Sequence, residues 1–163
     1  MIGKGIRVEG LEKALGTLKN QVRLIPLRTL TGMIAGGLTI QRRAQNLVPR
    51  DLGNLRASAF TTWSKGAKNT APSFSNDHGD ASKLNKEHTQ AVAESKASLS
   101  TNEILHPEVE VGFSAFYALF VHEDMEAKHL NGKQAKFLQQ AVSQGMPDVI
   151  KAIETETIIK ESD

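Results

Sequence analysis

The sequence predicts an α+β fold, with N-terminal helices, a small antiparallel β-sheet carrying a long inserted loop, and a C-terminal helix packed on the sheet. Three patterns carry that expectation. Apolar residues recur at three- and four-residue intervals from Leu11 to Leu47 and again after Gln134, the period of a helix with one buried stripe. Between them, residues 55–63 and 107–113 alternate side chains with period two, as half-buried strands do. A chain of 163 residues is long enough for one domain with a substantial core.

Taken in order, residues 10–25 form the first helix, with Leu11, Ala14, Leu15, Leu18, Val22 and Ile25 at helical spacing. Pro26 ends or kinks it, or serves as an early residue of the next helix, because proline lacks the amide hydrogen. A longer helix follows from about residue 27 to 47. Its apolar arc holds Leu27, Leu30, Met33, Ile34, Leu38, Ile40, Ala44 and Leu47, with Arg28, Arg42 and Arg43 opposite. Gly32, Gly36 and Gly37 each cost this helix about 1 kcal/mol relative to alanine, so they imply a close neighbour. That neighbour is a helix of the same chain or of the next subunit, and the same chain is the simpler choice.

A polar corner follows: Pro49 stops the helix, Asp51 offers its carboxylate to backbone amides, and Gly53 tolerates positive φ. Together with Asn54 and Arg56 these residues form a helix-to-strand joint. The first strand then spans residues 55–63 and closes at Trp63. Residues 64–103 carry almost no large apolar side chains, which predicts a flexible polar excursion between two paired strands, with at most a marginal helix near 81–98. Its expected use is contact with a partner ring; a tolerated insertion without a role is the alternative.

Val109, Val111 and Phe113 mark the second strand, and Ser114 caps a short helix holding Phe116, Tyr117, Leu119, Phe120 and Val121. Phe116, Tyr117 and Phe120, joined by Phe137 of the last helix, form the expected aromatic core. Residues 124–132 read as a polar loop. The final helix starts at Gln134, buries Phe137, Leu138, Ala141 and Val142, pauses at Gly145-Met146-Pro147, and resumes toward Ile159.

Composition narrows the function classes. With no cysteine, disulfides, thiolate metal sites and cysteine nucleophiles are excluded. Aromatic residues make up only 5%, too few for a single-strand stacking platform. No apolar run approaches the ~20 residues that cross a bilayer, and the opening Met1-Ile2-Gly3-Lys4-Gly5 has no signal-peptide core, so a cytosolic chain with no membrane contact is expected. The net charge of +2 hides an asymmetry: residues 1–56 carry ten Lys/Arg against three Asp/Glu, and residues 101–163 carry five against eleven. Unlike ends suit contacts between successive copies, or neutralise each other within one fold.

Catalytic signals are weak. His122-Glu123-Asp124 with His129 is the best metal or acid–base candidate. A helical zinc pair, however, wants histidines four apart, and these two are seven apart across a loop. Polar surface is the better reading. No serine lies in a nucleophile elbow, and Gly3-Lys4-Gly5 and Gly36-Gly37 lack the spacing of a phosphate-binding loop. No enzyme activity and no cofactor are expected. Arg28, Arg42, Arg43 and Arg50 are the candidates for touching DNA phosphates; salt bridges to an acidic neighbouring surface are the alternative, which the small net charge favours.

The corner Val48-Pro49-Arg50-Asp51-Leu52-Gly53-Asn54-Leu55-Arg56-Ala57-Ser58 resembles that of the neck and tail-completion proteins of tailed bacteriophages, with Leu52 where that family usually has threonine. Three further pieces resemble the family in the expected order. They are the opening Val8-Glu9-Gly10-Leu11-Glu12-Lys13-Ala14-Leu15; Val109-Glu110-Val111-Gly112 with Phe116-Tyr117-Ala118-Leu119-Phe120-Val121-His122-Glu123; and Lys136-Phe137-Leu138-Gln139-Gln140-Ala141. The resemblance implies a virion structural protein, assembled in the host cytoplasm into a ring of six or twelve copies between the portal-side connector and the tail. Its implied partners are itself, other neck and tail proteins, and genomic DNA passing through the lumen without sequence specificity. A tail-terminator ring and a small basic nucleic-acid-binding module are the alternatives.

Overall fold

The computed structural model describes residues 10–49, 53–76, 80–102, 105–126 and 132–158. The elements are α1 (Leu11–Leu47), α2 (Asn54–Ala57), β1 (Ala59–Trp63), β2 (Gly66–Lys68), α3 (Ala81–Ser98), β3 (Val109–Phe113), α4 (Ala118–Glu123) and α5 (Phe137–Thr157). This is an α+β fold around a three-stranded antiparallel sheet of order β2-β1-β3. Ala59 opposes Phe113 and Trp63 opposes Val109 across one edge of β1, and Thr61 opposes Lys68 across the other.

Both faces of β1 are covered, which makes the domain three layers deep. Thr61 points to α1, where its hydroxyl donates to Gln41 Oε1 at 2.6 Å, and Gln41 Nε2 donates to the Ala59 carbonyl. On the opposite face Phe60 meets the ring of His88, and Thr62 shares a hydrogen bond with Ser95, both on α3. Helix α5 lies beside α1 in the first layer.

Helix α1 is a single helix of 37 residues that runs through Pro26, so the two N-terminal helices expected from the sequence are one. A proline removes one helical hydrogen bond, and nothing near Pro26 supplies a second start: the turn has no capping loop and helix formers stand on both sides. The pause expected at Gly145-Met146-Pro147 is likewise absent, because α5 continues to Thr157. Pro147 and Ser143, whose carbonyl it releases, are both on the exposed side of the helix.

The glycines explain how α1 and α5 meet. A Cβ on Gly32 would lie 2.5 Å from the Ile153 Cα, and one on Gly36 would lie 2.8 Å from Val149 Cγ1. Gly145 returns the relation from α5, facing Ile40. Each four-residue step along α1 therefore meets a four-residue step back along α5, with backbones too close for side chains at the crossing points. Gly37 turns to the sheet instead, against Val109 and Thr61. The close neighbour is in the same chain. Arg43 and Asp148 add an ion pair across the two helices.

Two corrections concern the segments on either side of β1. Residues 64–103 are not simply an excursion: β2 pairs with β1, and α3 is the layer that closes the second sheet face. Asp80 caps α3 by accepting from the Ser82 and Lys83 amides, and Leu84, His88, Val92 and Ser95 form its buried stripe. Half that stripe is polar because the surface it covers is polar. His88 is 1% exposed, with Nδ1 bonded to Ser114 Oγ at 2.7 Å and Nε2 to the Asn69 carbonyl.

The second correction is at the joint. Strand β1 starts at Ala59, because residues 54–57 form a helical turn. The Ser58 amide and hydroxyl both return to the Leu55 carbonyl, and this local closure overrides the alternating pattern. Gly53 begins the turn at φ +83°, as its place in the corner requires. The Asn54 side chain then clamps Ser75 in both directions, donating to its carbonyl and accepting from its amide. Gln45 donates to the Arg56 carbonyl, and α1 ends at Leu47, two residues before Pro49. Arg50, Asp51 and Leu52 lie outside the described residues.

One core cluster gathers Val48, Leu55, Leu84, Ala115, Ala118 and Phe137; the other gathers Ile40, Ala44 and Ala141. Leu47, Phe113 and Leu138 join the two. No helix among the described residues is long and apolar enough to cross a membrane.

Candidate assembly surfaces

The N-terminal half of α1 has no partner among the described residues. Gly32 is opposite Ile153, so α5 ends near residue 28 of α1 and the preceding 17 residues project about 25 Å beyond it. Residues 11–20 are all exposed. Along this arm Leu11, Leu15, Leu18, Val22 and Ile25 repeat at intervals of four and three, on one arc of about 80°. They are 40–57% exposed. Lys13, Lys19, Arg23 and Arg28 against Glu12 make the arm basic. A continuous exposed apolar stripe of this kind makes the arm a candidate interaction surface.

A second apolar surface surrounds α4. Phe116 and Phe120 are 62% and 74% exposed, and Leu119 stands beside them. The aromatic core expected from the sequence is therefore divided: Phe137 is buried, Tyr117 is half-buried, and the other two rings face outward. Helix α4 is too short to turn every apolar residue inward, and Ala118 and Val121 take the core side. The Lys83 ammonium sits 4.9 Å above the Phe116 ring, which also meets Tyr117 edge-on. Beneath this patch is an open cleft of about 310 Å³ lined mainly by Phe113, Ala118, Leu119, His122, Phe137 and Leu138.

His122 lines that cleft without forming a catalytic constellation. Its Nδ1 bonds to Glu123 Oε1 at 2.9 Å, its ring stacks edge-on against Phe137, and its buried Nε2 has no partner among the described residues. Glu123 also pairs with Lys136. The Lys136 hydrogen bond, then the His122 one, hold the Glu123 carboxyl below the usual glutamate range. Among the described residues no three His, Asp or Glu side chains come close enough to hold a metal ion. His129 lies outside them.

The arginines singled out by sequence do not converge. Arg28 donates to Gln21 Oε1, Arg43 is engaged by Asp148, and Arg42 faces solvent. The arm and the α4 patch are the features sequence reading missed. The four-three spacing of residues 11–25 was visible, but spacing alone does not say whether a stripe is covered. No known protein family, curated protein or solved structure matches the chain.

Proposed function

We propose that the chain is a structural protein of the tailed-bacteriophage neck, forming a ring that joins the portal-side connector to the tail and leaves a channel for DNA. The observation that carries this reading is the projecting half of α1, whose apolar stripe of about 21 Å is not covered by any of the described residues. Such an arm has a use where copies of the chain meet. The α4 patch, on a different element, offers a second surface for another ring. The family-like pieces at residues 8–15, 48–58, 109–112, 116–123 and 136–141 support the more specific part of this reading. The protein then acts by shape and surface and transforms no substrate.

Electron microscopy of the purified protein, alone and mixed with the connector and tail proteins of the same phage, tests the reading. Closed rings of six or twelve subunits are expected; a chain that stays monomeric in every mixture contradicts it. A tail-terminator ring would use the same surfaces and would cap tails that have no head attached. The basic arm also favours a second class of reading, a small nucleic-acid-binding module. That reading predicts that the monomer binds short duplex DNA with a steep salt dependence.

A further inference from the structure

We infer that the arm of α1 is the donor side of the contact between successive copies, and that its acceptor is the outer face of α5 on the next copy. The inference rests on the ring-forming reading and specifies the surfaces that close the ring. Gly145, Val149 and Ile153 turn toward α1, which leaves Met146, Ile150 and Ile158 outward at 43%, 51% and 61% exposure. Glu154 stands on the same line, midway between Ile150 and Ile158.

Length selects this acceptor. The donor stripe from Leu11 to Ile25 runs about 21 Å, and Met146 to Ile158 runs about 18 Å, so one straight helix lies along another. Helix α4 spans only about 9 Å and leaves most of the stripe uncovered.

Charge points the same way. The arm carries Lys13, Lys19, Arg23 and Arg28 against Glu12, so two arms facing each other bring like charge together. The last turns of α5 carry Asp148, Glu154 and Glu156 against Lys151; Asp148 is held by Arg43 and Glu156 lies on the α1 side beside Ala35, which leaves Glu154, on the acceptor line, to meet the arm. A contact between unlike surfaces repeats from copy to copy and closes as a ring when its rotation allows, whereas arm on arm stops at a dimer.

The chain has no cysteine, so introduced thiols are unique. Leu18→Cys and Ile150→Cys are both at exposed positions, where the fold does not depend on the side chain. With a flexible bis-maleimide reaching about one helical turn, an equal mixture of the two single variants should give a cross-linked dimer. Each variant alone should give none, and the double variant should give a ladder. Arg23→Glu should weaken association by about two- to fivefold, and Glu154→Lys in the same chain should restore it. Self-cross-linking of Leu18→Cys overturns the inference in favour of an arm-to-arm dimer. An uncross-linked mixture while the wild-type chain still forms rings also overturns it and leaves the ring reading intact. A wild-type chain that forms no ring at all defeats both.

Discussion

Gly53 holds a backbone conformation that a side chain resists. Its φ is +83° and a Cβ there would meet nothing within 4 Å among the described residues, so the cost of substitution is conformational. Gly53→Val should lower unfolding free energy by about 1–2 kcal/mol in denaturant titration without changing the fold. Unchanged stability would mean that the turn before β1 relaxes freely. At the end of α4, Glu123 titrates below its ordinary range because Lys136 bonds its carboxylate. Its contribution to stability is therefore complete above the ordinary glutamate pKa and is lost as pH falls through the lowered folded value. Carbon-detected NMR titration should show that depressed pKa in the wild type and a return toward normal in Lys136→Met. A Glu123 pKa unmoved by the substitution would contradict the assigned cause.

Helix α1 contains a paired test of helix propensity against contact. Gly16 is on the arm with nothing among the described residues near its Cβ position, so Gly16→Ala should stabilise the protein by up to about 1 kcal/mol. Gly32→Ala makes the same chemical change, but there the methyl would lie 2.5 Å from the Ile153 Cα. It should destabilise by about 1–3 kcal/mol, as overpacking does. Equal signs for the two variants in thermal melts would refute the close approach of α1 and α5. The need for a close neighbour was legible in Gly32, Gly36 and Gly37, as were β3 in its alternation and α5 in its spacing. Helix α3 was legible only as a marginal helix near 81–98 and not as a packed layer, because its buried stripe includes His88 and Ser95. Their burial depends on partners distant in sequence, Asn69, Ser114 and Thr62, which no local period reveals. Removing residues 66–100 takes away the cover of Phe60 and Thr62, so cooperative unfolding should be lost in calorimetry. A truncated chain that melts as sharply as the wild type would restore the view of this segment as dispensable.

For the molecule as a whole, the sequence patterns were enough to specify an α+β domain but not which apolar residues it would leave outside. Leu15 and Leu47 have the same chemistry and share a helix, yet one is exposed and the other packs against both core clusters. The difference is where α5 ends. Likewise Phe120 and Phe137 were equivalent as sequence and are opposite as surface. An apolar basic arm and an aromatic patch remain uncovered among the described residues, which is consistent with the proposed role as a subunit of a larger assembly. The most direct test of that role is electron microscopy of virus particles from cells that encode the chain, labelled with antibody raised against it. Label confined to the junction of head and tail is the expected result. Unlabelled particles, with all of the chain left in the particle-free fraction, would contradict the account.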